Sequence, residues 1–286
     1  MSGLPIRCLR RRDAAYPGLL AAIHDPPPRL YVRGSGEDGI LGRTAVAVVG
    51  ARSCSAYGRS VARSLARDLA AAGLVVVSGM ARGIDGEAHR GALEADGVTV
   101  AVLGCGVDRD YPAAHAELAR RICERGLIVS EYEPGVEPAP WRFPARNRII
   151  AGLCAATVIV EARERSGALI TADFALEEGR DVLAVPGEIT SVLSAGTNAL
   201  LKLGAGPVTC AGDVLELFDL APAPRANAQL GPDAQTLLER LREAALTADE
   251  LVRLAGMDPG RASAALMELE LSRSVTLEDG VYRAAV

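Results

Sequence analysis

Short apolar runs recur along the middle of the chain, and each is followed by a stretch with helical spacing of its apolar positions. The runs are apolar on both faces, which is typical of parallel strands buried on both sides of a sheet. The alternation predicts a doubly wound α/β sheet with helices on both faces. Only about seven such units fit into the sequence, so a closed eight-stranded barrel is disfavoured. The predicted strands are Ala45–Val49, Leu74–Val77, Val98–Leu103, Leu127–Ser130, Thr157–Val160 and Val182–Val185, with a weaker one at Val208–Cys210.

The region before this alternation, residues 1–43, lacks a regular pattern. It contains Tyr16-Pro17, a triple proline at 26–28 and one short β-like run, Leu30–Val32. Because prolines prevent a continuous helix there, we predict an irregular lead-in that packs on the larger domain at 44–220. The helices predicted within the larger domain are Ser60–Ala72, Glu87–Ala95, Ala113–Arg125, Ala168–Glu178 and Thr197–Leu203.

A different pattern follows residue 220. Alanine and proline dominate the start of a linker at 221–231, which indicates a semi-rigid spacer. Over 232–286, Thr247 and Glu250 form a capping-box pattern and Gly256 is placed to end a helix. These signals predict a small winged-helix-like α+β domain. Its predicted elements are the helices Ala234–Ala244, Thr247–Ala255 and Pro259–Ser272 and a hairpin over Val275–Tyr282 with an Asp-Gly turn.

Composition narrows the class of protein. The chain has 286 residues, 49% of them apolar, without an apolar run that could span a bilayer or a secretion signal at the start. Its six cysteines are scattered and form no C-x-x-C pair, so free thiols in a reducing compartment are expected and a zinc site is not. We therefore expect a cytoplasmic protein without membrane contact, bound metal or cofactor. The net charge of −5 argues against a broadly basic nucleic-acid-binding surface, but it allows a local one.

Two glycine-rich loops carry the strongest local signals. The stretches Gly50–Gly58 and Ser78–Gly86 each leave a predicted strand and enter a helix. In a doubly wound sheet such loops meet at the ligand-binding edge, where glycine lets the backbone approach a phosphate and the helix N-terminus attracts an anion. Neither loop has the dinucleotide-binding or P-loop spacing. We expect Asp85 to cap the second helix and His89 to be a packing or surface residue.

Two further stretches place basic, aromatic and small polar residues at helix starts. Phe143–Gly152 contains Arg146 and Arg148, which have no obvious purpose other than contact with an anion, whereas Trp141 is expected to anchor its loop to the core. Glu161–Thr171 offers small hydrogen-bond donors. The candidate single-strand-binding residues are Gly50, Arg52, Ser53, Ser55, Gly79, Met80, Ala81, Arg82, Gly83, Phe143, Arg146, Asn147, Arg148, Ser166, Gly167 and Thr171.

Catalytic patterns are weak in this sequence. Its three histidines, at 24, 89 and 115, stand in no nucleophile or metal arrangement. Carboxylates do occur near strand ends, at Glu131, Glu161 and Glu188, so an acid–base pair stays open. Arginine, serine, threonine and glycine dominate the predicted ligand edge, and these residue types suit contact with a phosphate backbone. We therefore favour a binding protein over an enzyme.

Seven stretches in order resemble the DprA/Smf family of bacterial DNA-processing proteins. The resemblance runs from Tyr16-Pro17 to the C-terminal hairpin. It implies an extended Rossmann-like, doubly wound and mostly parallel sheet that binds single-stranded DNA without strong sequence preference. It also implies protection of DNA during natural transformation and homologous recombination, loading of the recombinase RecA, and a homodimer. The stretches are GARSCSAYG, SGMARGID, GCGVDRDYP, FPARNRIIAGL, SGALITA, AVPG and SAGTN.

The same resemblance implies individual roles. Arg52 would contact phosphate, Gly79–Gly83 would line the pocket, Arg146–Arg148 would grip the strand and Phe143 would stack on a base. We expect no full helical domain before Tyr16, in contrast to longer relatives.

The C-terminal domain is acidic. Residues 233–286 hold six arginines and ten carboxylates, a net charge of −4. Its third helix region combines Arg261 and Arg273 with Glu268 and Glu270. Because a DNA-reading winged helix needs a basic recognition helix, we predict a module that does not bind DNA strongly.

Two other functions remain as alternatives. LOG-type nucleoside monophosphate phosphoribohydrolases have similar sheets, but their P-G-G-x-G-T loop is replaced here by Pro186-Gly187-Glu188 and a separate Ala195–Thr197. An NAD-dependent oxidoreductase lacks support because its glycine fingerprint is absent.

Overall fold

The computed structural model describes residues 4–223, 230–272, 274–278 and 280–284. The chain divides into two compact units between residues 223 and 224. The first unit contains a nine-stranded sheet with strand order β1-β2-β6-β5-β4-β3-β7-β8-β9. Its strands are β1 (Arg7–Arg10), β2 (Arg29–Arg33), β3 (Ala45–Val49), β4 (Val75–Ser78), β5 (Thr99–Val102), β6 (Leu127–Ser130), β7 (Ala156–Ile159), β8 (Asp181–Ala184) and β9 (Gly206–Pro207).

The strands from β3 to β9 all run parallel, as the alternating pattern predicts. Strand order reverses between β3 and β7, which places a topological switch point at the centre of the sheet. The helices of this unit are α1 (Gly18–Ala21), α2 (Ala56–Ala71), α3 (Ile84–Glu94), α4 (Ala116–Arg125), α5 (Arg142–Leu153), α6 (Gly167–Glu177), α7 (Ala195–Lys202) and α8 (Ala211–Leu215), with 3-10 turns at Asp38–Gly42, Ala113–His115 and Glu216–Phe218.

The core lies in two apolar layers, one on each face of the sheet. Alternate side chains of β3 point to opposite layers: Ala45, Ala47 and Val49 face α5, α6 and α7, whereas Val46 and Val48 face α2, α3 and α8. Helix α4 covers β5 and β6 on the second face. The extended Rossmann-like, doubly wound and mostly parallel sheet is therefore confirmed.

The N-terminal region departs from the prediction. Instead of an irregular lead-in, it supplies β1 and β2, which pair with each other antiparallel. Strand β2 then pairs antiparallel with β6, with Tyr31 opposite Ser130. Strand β2 contains the predicted β-like run Leu30–Val32, whereas β1 was missed because it is only four residues long and has an arginine at each end.

Several predicted boundaries are also wrong. No strand forms at Val208–Cys210 because the Asp213 carboxylate accepts hydrogen bonds from the amides of Thr209 and Cys210, which begins α8. The helix predicted at Ala113 starts as a 3-10 turn and becomes α-helical at Ala116.

The second unit is a winged-helix domain. Thr247 and Glu250 form the expected capping box, and Gly256 ends the same helix in the left-handed conformation. The predicted hairpin is confirmed by antiparallel pairing of its two strands, although Asp279 of its turn lies outside the described residues. The elements are α9 (Pro232–Glu243), β10 (Leu246–Thr247), α10 (Ala248–Ala255), α11 (Pro259–Leu271), β11 (Val275–Glu278) and β12 (Val281–Ala284), and the sheet order is β10-β12-β11.

No helix in the described part of the chain is long and apolar enough to cross a membrane. All six cysteines are free thiols. Among the residues that the structure describes, no cluster of histidine, cysteine and carboxylate side chains is suited to hold a metal ion.

Candidate nucleic-acid interface

A cavity of about 480 Å³ opens at the carboxyl edge of the sheet, at the switch point between β3 and β7. The loops after these two strands form opposite walls, and the start of α5 closes a third side. Most of the sequence-predicted site residues meet here. Those that line this cavity are Gly50, Arg52, Ser53, Ala81, Phe143, Arg146, Asn147, Ser166, Gly167 and Thr171.

A second cavity of about 360 Å³ adjoins the first and shares Arg52, Phe143 and Arg146 with it. It brings in three more predicted residues, Gly79, Met80 and Arg82. The Met80 side chain is buried, whereas Arg82 is exposed.

The rim between the two cavities is aromatic and cationic. The guanidinium carbon of Arg52 lies 5.2 Å from the centre of the Phe143 ring. The same ring stacks on Tyr111, at a centroid distance of 5.4 Å and an interplanar angle of 22°. Tyr111 belongs to the GCGVDRDYP stretch, but sequence reasoning did not place it at the site. A flat aromatic pair beside a cation suits a base and its phosphate.

Trp141 is not an anchor for its loop, as the sequence analysis expected. Its side chain is 64% exposed, and Arg142 lies over its ring at 4.7 Å from the centroid. Arg142 also lies 5.0 Å from the centre of the Tyr132 ring. The loop is held instead by the guanidinium of Arg142, which donates to the carbonyl of Glu137. Trp141 is therefore a solvent-facing ring close in sequence to Phe143.

Four exposed arginines surround the two cavities: Arg52, Arg82, Arg163 and Arg165. Within the described part of the chain, none of the four has an ion-pair partner. Their charges are therefore available to a bound polyanion. Arg163 and Arg165 follow β7, and sequence reasoning passed over them in favour of the small residues beside them.

Arg146 lines both cavities but is only 3% exposed. It donates hydrogen bonds to the carbonyls of Gly79, at 2.8 Å, and Val102. Burial lowers the pKa of Arg146 to about 10, against the opposing field of Asp85, so the side chain stays cationic near neutral pH. The premise that this arginine lacks an internal purpose is wrong, because it braces two strand ends.

Arg148 lies outside both cavities. It forms a two-pronged ion pair with Glu131, at 2.8 and 2.7 Å, and bonds to Asp25 at 2.9 Å. The expectation that both arginines lie at a helix start is also wrong, since α5 begins at Arg142. Each therefore sits within the helix and has intramolecular partners.

Asp85 is not the cap of α3, because that position belongs to Gly83. The Asp85 carboxylate is buried and accepts a hydrogen bond from the Gly79 amide at 3.1 Å. Burial raises the pKa of Asp85, while Arg146 and the amides of Ala81, Gly50 and Gly79 oppose that shift. The carboxylate thus ties together the ends of both glycine-rich loops.

Two glycines of the second loop are required by geometry. A Cβ on Gly79 would lie 2.5 Å from an Arg146 nitrogen and 2.6 Å from an Asp85 oxygen. Gly83 has φ +76°, and a Cβ there would collide with the carbonyl of Ala51. Gly83 lines neither cavity, so its contribution is to bring the two loops into contact.

Ser55 also lines neither cavity. Its hydroxyl caps α2 by accepting from the Gly58 amide at 3.0 Å. Its amide donates to Glu161 at 2.9 Å, and its hydroxyl donates to the same carboxylate. The expectation that α2 presents unpaired amides to a ligand is therefore wrong at Ser55 and Gly58.

His89 is a packing residue. It is fully buried, and its Nδ1 lies 2.7 Å from the Thr99 hydroxyl. That hydroxyl donates to the carbonyl of Val76, so His89 Nδ1 is the donor and Nε2 carries the lone pair. Burial lowers the pKa of His89 to about 3, which keeps the ring neutral.

The fold and the cavity define a Rossmann-like protein with an arginine- and aromatic-lined site at its switch point, followed by a winged-helix domain. The family described as DNA recombination-mediator protein A matches residues 7–219, and the family described as DprA winged helix domain matches residues 221–280. The chain belongs to the DprA/Smf family.

Relatives support this assignment. A DprA DNA processing protein of Mycobacterium tuberculosis is 45% identical over 248 residues, which cover 84% of this chain. The match covers 64% of that relative, so the chain spans under two thirds of its length. The structure of DNA processing protein A from Streptococcus pneumoniae aligns with a TM-score of 0.71 and 44% identity, covering 74% of each chain.

A structure of DNA processing protein A from Helicobacter pylori, described for its single-stranded DNA binding mode, aligns with a TM-score of 0.68. It is 30% identical, and the alignment covers 76% of this chain and 98% of that one.

Proposed function

We propose that this chain binds single-stranded DNA without strong sequence preference, through the cavities at the switch point of its sheet. The observation that carries the proposal is the row formed by Arg52, Phe143 and Tyr111 on the rim of the cavities. Single strands expose both phosphates and base faces, and proteins bind them by combining arginines with stacking aromatics. A duplex hides its base faces and would use only the charges.

The charge distribution favours the same ligand. Although the whole chain carries −5, the exposed arginines at the cavities are unpaired within the described residues. Contact through exposed side chains gives affinity with little dependence on base identity, because phosphates are alike along a strand. The Helicobacter pylori relative, described as binding single-stranded DNA, supports this choice.

The wider role follows from family membership. We infer that the protein protects incoming or recombining strands in the cytoplasm, helps to load RecA onto them, and acts as a homodimer. The family description as a recombination mediator supports this inference.

The winged-helix domain is proposed to contribute little to DNA affinity. Arg261 at the start of α11 is already paired with Asp233 at 2.6 Å. The exposed face of α11 carries Met267, Glu270 and Leu271. An apolar and acidic face is a poor match for a phosphate backbone. Arg273 lies outside the described residues.

Phosphoribohydrolase activity is the competing function, and the observed carboxylates do not favour it. Glu161 is buried and held by Ser55, and Glu131 is bound to Arg148. Glu188 is exposed but lines neither cavity. A general acid–base pair needs carboxylates that reach the substrate.

Titration of a labelled homopolymeric strand, followed by fluorescence anisotropy at several salt concentrations, tests the proposal. Duplex DNA and mononucleotides serve as competitors. We expect tight binding of the strand, weak competition, and a fall of log K with log salt of about 0.7 per phosphate neutralised. Binding of a mononucleotide without binding of the strand would reject the proposal and direct attention to N-glycosidic hydrolysis.

A further inference from the structure

The N-terminus of α2 occupies the position where doubly wound nucleotide-binding folds take a phosphate. The helix has sixteen residues and follows β3, directly at the switch point. In such folds the first amides of this helix and its positive dipole end bind the pyrophosphate of the ligand. The same position in this chain is already filled by one of its own side chains.

That side chain is Glu161, which follows β7 on the other side of the switch point. It is 3% exposed. One carboxylate oxygen accepts from the Ser55 amide at 2.9 Å, and the other accepts from the Ser55 hydroxyl. A carboxylate therefore stands at the helix N-terminus with the charge and hydrogen-bond partners that a phosphate oxygen would have.

Gly58 makes room for this carboxylate. A Cβ at this position would collide with the carboxyl group of Glu161. Alanine is favoured over glycine inside a helix by about 1 kcal/mol, so Gly58 is less favourable for the helix than alanine. The need for space beside the Glu161 carboxylate explains why glycine stands there. Ser55, Gly58 and Glu161 thus form one fitted unit.

The neighbouring amides are used in the same way. The Ala51 amide donates to the Glu161 carbonyl at 2.8 Å, and the Gly58 amide donates to the Ser55 hydroxyl at 3.0 Å. The amides of Gly50 and Gly79 are bound to Asp85. These amides of the glycine-rich loops and the helix start therefore donate to internal acceptors, namely a carbonyl, a hydroxyl and the Asp85 carboxylate, and the cations left for a ligand are side chains on the cavity rim.

We propose that Glu161 is a specificity-determining residue that fills the anion-binding position at the start of α2, so that the site rejects free nucleotides and pyrophosphate. This inference rests on the proposed binding of single-stranded DNA. Free nucleotides offer the same bases and phosphates as a strand. A site that binds phosphate only through separate arginines on its rim favours a ligand with many phosphates over a ligand with one compact phosphate group.

The full-length variant Glu161→Ala tests the proposal, with inorganic pyrophosphate as the probe. We expect pyrophosphate to leave the Tm of the wild type unchanged beyond a sulfate control of equal ionic strength. At about a hundred times its Kd, pyrophosphate should raise the Tm of the folded variant by several degrees, by mass action. A folded variant whose Tm does not respond overturns the proposal, as does a wild type that responds equally.

Two further variants keep the test decisive. Glu161→Gln retains the volume, and its oxygen can still accept from the Ser55 amide while its NH2 group donates to the Ser55 hydroxyl, so we expect no gain of pyrophosphate binding. A gain equal to that of Glu161→Ala would show that occupancy is not what closes the position. If Glu161→Ala does not fold, Glu161→Ser removes the same carboxylate while keeping a small polar side chain at this position. A response to pyrophosphate in this variant then supports the proposal, and its absence overturns it.

Strand binding by the wild type, measured by anisotropy, separates the two proposals. If the wild type fails to bind the strand, the proposed function fails, whereas pyrophosphate binding by Glu161→Ala still reports on the helix terminus. If the strand binds and Glu161→Ala gains no pyrophosphate, only the role of Glu161 is rejected.

Discussion

The guanidinium of Arg52 lies over the face of Phe143, with 5.2 Å between the guanidinium carbon and the ring centre. Two loops that are distant in sequence therefore present one cation and one ring as a single surface. Since Phe143 also stacks on Tyr111, the ring is fixed before any ligand arrives. A preorganised pair of this kind binds with a smaller loss of side-chain entropy.

Arg52→Ala is expected to weaken single-stranded DNA binding by about ten- to a hundredfold, because a charge-assisted hydrogen bond contributes roughly 1.5–3 kcal/mol. The slope of log K against log salt should become shallower by about 0.7. Anisotropy titrations at several salt concentrations measure both. Arg120→Ala, which removes an exposed arginine of α4, is the matched control. Wild-type affinity in a folded Arg52→Ala protein would remove this loop from the interface.

Phe143→Leu is expected to reduce affinity by roughly 1–3 kcal/mol, the usual contribution of one stacked base. Leucine keeps an apolar side chain but has no aromatic face. Comparison of a normal strand with one that contains abasic sites gives the decisive measurement. The difference between wild type and variant should shrink on the abasic strand; an equal loss on both strands would argue against stacking.

Arg148→Ala should lower the stability of the fold and leave the salt dependence of single-stranded DNA binding unchanged. The side chain pairs with Glu131, and both are largely buried, at 13% and 16% exposure. Loss of the cation should destabilise the fold by roughly 2 kcal/mol, between the values for exposed and fully buried pairs. Urea unfolding measures the change in stability, and DNA-binding titrations at several salt concentrations measure the salt dependence. A slope that falls by about 0.7 would instead indicate a phosphate contact at Arg148.

His89 should make stability depend on pH. Its folded pKa of about 3 lies below the unfolded value of 6.5, so only the unfolded chain gains a proton as the pH falls between these values. The contribution of His89 is therefore fully present above pH 6.5 and is lost on acidification, by about 2 kcal/mol at pH 5. Urea unfolding of wild type and His89→Gln at pH 7.5 and 5 measures it. Equal losses in both proteins would exclude His89 as the cause.

Deletion of the residues after Ala226 is expected to leave strand affinity within about twofold, since few of the charges of the winged-helix domain suit a phosphate backbone. Anisotropy with the truncated and full-length chains makes the comparison. A drop of tenfold or more would show that the acidic domain takes part in DNA binding.

The parallel core from β3 to β8 could be predicted because its strands are mostly apolar, and β3 and β6 have the predicted bounds. The ligand edge followed from topology, since parallel strands all end at the same side. The β-like run at 30–32 marked β2, but its antiparallel pairing with β6 could not be predicted, because the partner is distant in sequence. Strand β1 could not be predicted because it has no distinctive apolar run.

The loops that form the site were predicted correctly, but several side chains predicted to be available to a ligand are bound to other parts of the chain. Arg146, Arg148 and Ser55 all looked available from local sequence. Their partners come from distant segments: Glu161 is 106 positions from Ser55, and Gly79 is 67 from Arg146. The predicted burial of Trp141 was also wrong, since the expected contact with the core does not form.

The antiparallel pairing of β2 with β6 changes where a minimal binding fragment can begin. A fragment that starts at residue 44 contains the cavity walls described above, but it lacks β2. Strand β6, whose residues Leu127–Ser130 are all buried in the full chain, would then be an unpaired edge strand. Unpaired apolar edges recruit strands from other molecules and promote aggregation. The segment that carries β2 therefore covers this edge of the sheet, and we expect its removal to lower solubility even though it lies outside the loops that line the cavities.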